Sequence, residues 1–148
     1  MPETITIRYI QPGDALSIFR FVCELENESF DFTVFNTIFI RNISHNNFIY
    51  LAATNDEGII VGYISCRGQL LLHHLGMVYE IQELFVDKLY RQKGIGKLLL
   101  QSLENELKGS AYLSLEVTPN IVRKDAALFY PKCGFTQTHI KFTKKLSL

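Results

Sequence analysis

From Arg91 to Gly96 the chain runs Arg-Gln-Lys-Gly-Ile-Gly, a glycine-rich turn that carries two cations. An apolar strand pattern, Tyr79–Val86, leads into it through a short turn at Asp87–Tyr90, and a helical pattern follows. Glycines at such a junction let backbone N–H groups converge at the positive end of a helix dipole, which suits a phosphate or pyrophosphate. Helix N-termini usually favour acidic side chains. Here Arg91, Lys93 and Lys97 surround the turn instead, and a bound anion explains the inversion. A purely structural turn is the alternative, because glycines before helices are common. A dinucleotide cradle is excluded, since no Gly-x-Gly-x-x-Gly follows a first strand.

Glu80 and Glu83 interrupt the strand that leads into this turn. Burying charge on a central strand is costly, so each is either paired in a structural salt bridge or functional. Strand alternation sends the two to opposite sides unless a bulge intervenes. His73 and His74 are adjacent and diverge if they lie on a strand. No third and fourth ligand stand at a recognisable spacing, so a dedicated zinc site is not expected. Lys141 and Lys144 either meet an anion or protect an edge strand. Cys133 beside Gly134 is expected to pack, because a covalent acyl-cysteine route needs a histidine partner that the nearby sequence does not supply.

The elements that must hold these residues follow from periodicity. A chain of 148 residues with 47% hydrophobic and 20% charged positions suits one globular domain over 1–148. Zero net charge argues against bulk attraction to nucleic acid or to a membrane surface. An early charged N-terminus, no long apolar run and three scattered cysteines point to a cytoplasmic, reduced protein. Thr4–Ile10 alternates as a strand, and Asp14 is placed to cap a helix running to about Glu26. Thr33 opens a second helix with Phe35, Ile38, Phe39 and Ile43 inward. Phe48–Thr54 and Ile59–Arg67 form a hairpin about Asn55–Gly58. Gly68–Gly76 either extends that strand or loops. Ile95–Leu107 is an amphipathic helix stopped near Gly109, and Tyr112–Val117 is a strand parallel to Tyr79–Val86. A short helix from Arg123 to Lys132 precedes a terminal hairpin, Phe135–Thr138 with Ile140–Leu146. The result is an α/β fold with about seven strands in a mixed sheet and four helices.

The spacing Arg-x-x-Gly-x-Gly after Ile-x-x-Leu-x-Val resembles the acyl-CoA signature of the GCN5-related N-acetyltransferases (GNAT). Ala126–Phe135 resembles that family's Ala-x-x-x-Tyr-x-x-x-Gly-Phe pattern, and the element order agrees along nearly the whole chain. Within the family the chain looks most like the aminoalkylphosphonate N-acetyltransferases. The matching residues are Cys23-Glu24-Leu25, Phe30-Asp31, His73-His74, Glu80–Leu84, Asn120, Arg123, Asp125-Ala126, Phe129-Tyr130 and Phe142-Thr143-Lys144.

The resemblance implies an enzyme that moves acetyl from acetyl-CoA to a small primary amine, with a splayed parallel strand pair as the cofactor wedge. It implies that Arg91, Gln92, Lys93, Gly94, Ile95, Gly96 and Lys97 bind CoA. Leu84, Phe85 and Val86 line the acyl end, with a backbone N–H near Phe85 or Val86 polarising the thioester carbonyl. Glu83 is the preferred base, acting through water, and Glu80 the competitor. Tyr130 is the acid for the thiolate, a half-buried helix tyrosine being the alternative. Asn120 and Arg123 line the pantetheine arm or the substrate entrance. Arg123 departs from the family's asparagine and suggests a cation for an anionic acceptor. Phe30, Asp31, His73, His74, Glu80 and Lys144 are the substrate candidates, and a divalent cation could bridge phosphonate oxygens to Asp31 or Glu80. Polyamine, aminoglycoside or protein-amine acetylation and a non-catalytic acyl-CoA sensor are the other readings. Phe135, Ile140 and Phe142 suggest a homodimer.

Overall fold

The structure, a computed structural model, describes residues 3–120 and 123–146. One five-stranded sheet has the order β1-β2-β3-β4-β5: Thr6–Tyr9, Phe48–Thr54, Ile60–Leu71, Gly76–Val86 and Ser114–Val117. Four helices flank it: α1 Ala15–Glu26, α2 Phe32–Ile43, α3 Ile95–Leu107 and α4 Lys124–Lys132. Strands β1 to β4 are antiparallel neighbours, and β4 pairs with β5 in parallel as the strand-helix-strand order requires. Among the described residues no helix is long and apolar enough to cross a membrane.

The β2–β3 hairpin turns where the sequence predicts, with the Asn55 side chain accepting from the Glu57 and Ile59 amides at 3.0 Å. Two apolar layers follow from strand alternation. Ile49, Leu51, Ile64, Cys66, Tyr79 and Ile81 pack on one face against Ile95, Leu99, Leu103 and Leu107 of α3. Ala52, Tyr63 and Phe85 pack on the other face against Ile18 and Phe21 of α1 and Phe39 of α2.

Some expectations change. Among the described residues the sheet has five strands, not about seven. No strand forms between Phe135 and Leu146, where Ile140, Phe142 and Leu146 are 79%, 90% and 83% exposed. Alternation alone does not make a strand without a partner edge and a surface to cover one face. Asp14 occupies the cap position of α1 but does not cap it. Its carboxylate instead accepts both Arg8 guanidinium donors, at 2.8 and 3.0 Å, and the Gln11 amide at 2.7 Å. Ile38 faces solvent, while Phe39, with Phe35 and Ile43 partly buried beside it, makes the α2 contact. β3 runs on to Leu71, and His73 and His74 lie in a 3-10 turn, Leu72–His74, rather than on a strand.

Candidate active site

At the junction of β4 and α3, Asp87 opens a turn by accepting the Leu89 amide at 3.1 Å. The chain then takes left-handed conformations at Gln92 (φ 61°) and Gly94 (φ 79°) before α3 begins at Ile95. Only glycine adopts that geometry without a steric cost, which accounts for Gly94. No side chain caps α3, and its first turn holds no acidic residue. Its leading amides therefore stay available to an external acceptor. Arg91 Nε donates to the Val86 carbonyl at 2.8 Å, and its guanidinium lies over the Phe85 ring. Lys93 Nζ sits 5.1 Å from the Tyr90 ring centre. Among the described residues Arg91, Lys93 and Lys97 form no ion pair, so three positive charges border an uncapped helix start. Phe129 of α4 reaches this corner, its ring 3.6 Å from where a side chain at Gly96 would begin.

The parallel ladder between β4 and β5 covers Val78–Ile81 with Ser114–Val117, where β5 ends, so β4 continues from Gln82 to Val86 without a ladder on that side. Asp87 N donates to Val61 O of β3 at 2.8 Å. Alternation then turns the Phe85 amide towards β3, and leaves those of Leu84 and Val86 pointing away from β3, to the side on which the β5 ladder has ended. Phe85 is thus the wrong parity for a carbonyl-polarising amide. Its ring belongs to the α1 layer, 4.8 Å from Phe21.

Glu83 pairs with Ser65 and Ile81 with Cys66, which leaves Gln82 as an extra residue. This bulge reverses the parity, so Glu80 and Glu83 share the α1–α2 face. Their settings differ. Ser65 Oγ donates to the Glu83 carboxylate and accepts the Glu83 amide at 3.0 Å, clasping side chain and bulge together. Burial pushes the Glu83 carboxyl above its usual range, the Ser65 hydrogen bond draws it partly back, and the nearby Glu26 charge adds to the rise. Glu80 is held by Gln82 at 2.9 Å and by Thr118 at 3.4 Å, beside β5.

Three tyrosines complete the surroundings. Tyr50, opposite Ser65, accepts from Asn42 at 2.9 Å. Tyr63 is 1% exposed, and among the described residues its hydroxyl has no hydrogen-bond partner. Burial, followed by the Glu83 charge, holds that hydroxyl firmly protonated. Tyr130 packs edge-on to Phe129 and Phe135, and burial lifts its phenol to about 12. Tyr50, Ser65 and Tyr63 were not identified from the sequence; a serine inside the apolar run Ile60–Cys66 was the visible signal.

The remaining candidates are dispersed. Arg123 donates to the Leu25 carbonyl and lies 3.6 Å from Glu26, tying the start of α4 to the end of α1. Asn120 is exposed, and its carbonyl accepts the Arg123 amide at 2.9 Å. Asp31 caps α2 by accepting the Val34 amide at 3.0 Å, and Phe30 is exposed in the preceding loop. Lys144 stands exposed in the irregular terminal segment. Among the described residues no group of three or more His, Cys, Asp or Glu side chains is placed to hold a metal ion. The proposed bridging cation therefore finds no ligand cluster, and Asp31 is already engaged as a cap.

Comparison with known proteins agrees with this architecture. A model of the acetyltransferase (GNAT) domain matches residues 45–137. The aminoalkylphosphonate N-acetyltransferase of Salmonella typhimurium is 37% identical over 141 residues, covering 95% of this chain and 90% of that relative. A transcriptional regulator from Bacillus halodurans superposes with a TM-score of 0.87 at 21% identity, over 97% of this chain and all of the other. Glucosamine-6-phosphate N-acetyltransferase from Arabidopsis thaliana gives 0.81 at 20% identity, over 98% and 100%. At such identities the two structures speak for the fold; the matched domain and the Salmonella relative show that this chain belongs to the GNAT family of acetyltransferases.

Proposed function

We propose that this acetyltransferase uses acetyl-CoA to acetylate a small primary amine, with aminoalkylphosphonates as the acceptor class. The observation that carries the acceptor class is the 37% identity to the Salmonella aminoalkylphosphonate enzyme across 95% of the chain. The α3 N-terminus fits the pyrophosphate, because its amides are uncapped and, among the described residues, Arg91, Lys93 and Lys97 beside it form no ion pair. When bound, acetyl-CoA supplies the thioester carbonyl and the thiolate leaving group.

The chain's own residues then divide the work. The Leu84 and Val86 amides face the wedge and stabilise charge on the carbonyl oxygen. Glu83 takes the ammonium proton through water, and its raised pKa brings the carboxylate closer to the pH at which a general base is most efficient. Glu80, tied to Gln82 and Thr118, is the weaker base candidate. Tyr130, at about 12, lies roughly three pKa units above an ordinary thiol, so its hydroxyl serves the thiolate as a hydrogen-bond donor. The exposed Ile140, Phe142 and Leu146 support pairing of two copies through the terminal segment, which sedimentation would test. Three free cysteines suit a cytoplasmic setting.

A thiol-release assay over an amine panel tests the proposal. Turnover of 2-aminoethylphosphonate and aminomethylphosphonate well above that of aminoglycosides, polyamines and peptide N-termini is the expected result. The reverse order overturns the acceptor class. Calorimetric acetyl-CoA binding with no turnover of any amine would favour a sensor.

A further inference from the structure

We propose that Arg67 is the residue that recognises the acceptor's anionic group, and so sets specificity for an amine joined to an acid. The inference rests on the reading of Glu83 as the base and of the acceptor as an anionic amine. Its starting point is register. Tyr63, Ser65 and Arg67 alternate along β3 without interruption, so all three side chains share the face that carries Glu83. Arg67 lies two residues beyond the Ser65–Glu83 pair, about 6.6 Å along the strand. A cation and a base at that spacing complement the two ends of a short zwitterion.

Arg67 is also chemically available. It is half-buried, and among the described residues its guanidinium has one hydrogen-bond partner, Gln69 Oε1 at 3.1 Å. Glu80 stands directly across from it on β4, where opposite charges ordinarily pair. Yet the Glu80 carboxylate turns away to Gln82 and Thr118, and no ion pair forms. Arg67 lines a cleft of about 420 Å³ with Asn47, Phe48, Gln69 and Met77. Tyr50 lies opposite Ser65 on β2 and shares this face, on the far side of β3 from Glu83. The other cation considered for the acceptor on this side, Arg123, is engaged by the Leu25 carbonyl and Glu26. Guanidinium matches phosphonate or carboxylate oxygens in a bidentate fork, which lysine does not reproduce.

The test compares 2-aminoethylphosphonate with propylamine, which has similar length and no acid, in wild type, Arg67→Gln and Arg67→Lys. Wild type should prefer the phosphonate. Arg67→Gln should lower the ratio of the two kcat/KM values about 10- to 100-fold, through the phosphonate KM, as loss of a charge-assisted contact predicts. Arg67→Lys should keep part of the preference. A wild type that prefers the phosphonate while Arg67→Gln leaves the ratio unchanged overturns this inference and spares the proposed acceptor class. A wild type with no preference overturns both. An equal loss on both amines with a lower Tm assigns Arg67 to structure and also overturns it.

Discussion

The two faces of the sheet differ in what they hold. Towards α3, Ile64, Cys66, Leu99, Leu103 and Leu107 are all 0% exposed, and the contact is apolar. Towards α1 and α2, a shorter apolar layer around Ile18, Phe21 and Phe39 gives way to Tyr50, Ser65, Arg67, Glu80 and Glu83. Close-packed apolar contact stabilises, whereas half-buried charge costs stability wherever it is not fully paired. One face keeps the sheet folded, and the other spends some of that stability on polar groups held away from water.

Leu99→Ala should expose the first half of this division. The substitution opens a cavity against a fully buried layer and should cost about 2–5 kcal/mol in chemical denaturation, with acceptor KM moving little in the protein that stays folded. A large KM change would show that the two faces are not independent. On the polar face, Ser65→Ala removes the hydroxyl that clasps Glu83 and draws its pKa down. The expected cost is about 1 kcal/mol. The acidic limb of the pH–rate profile should also move to higher pH. Tyr63→Phe deletes a hydroxyl with no partner, so unfolding free energy should change by less than about 1 kcal/mol, and upward if at all. A loss larger than that would show that the hydroxyl is satisfied in solution.

Legibility followed the same line. The proposed pyrophosphate cradle lies within six consecutive residues, Arg91–Gly96, so its type and spacing are visible in the sequence. The α3 layer was also readable, because Ile95, Leu99, Leu103 and Leu107 repeat at helical spacing. The proposed acceptor side spans three strands. Tyr50, Ser65 and Glu83 meet only through β2–β3–β4 register, and Glu80 and Glu83 share a face only because Gln82 bulges. A one-residue change in strand count exchanges the faces, and alternation cannot locate such a change. The terminal segment failed for a related reason: Ile140 and Phe142 alternate like a strand, but a strand also needs an edge to pair with.

The most direct measurement is the pH dependence of kcat/KM, together with thermal melts, for wild type and Glu83→Gln. Folding raises the Glu83 pKa, so the folded chain binds that proton more tightly than the unfolded one. The stability this gives is complete below the ordinary glutamate value of about 4.5 and is lost as pH rises through the folded value. At neutral pH the glutamine variant should therefore melt higher than wild type. It should also lose on the order of 100-fold or more in kcat/KM, as removal of a general base does, together with the limb that wild type shows above the ordinary carboxylate range. A variant that keeps both that limb and wild-type turnover would contradict Glu83 as the base, and with it the division of labour between the two faces.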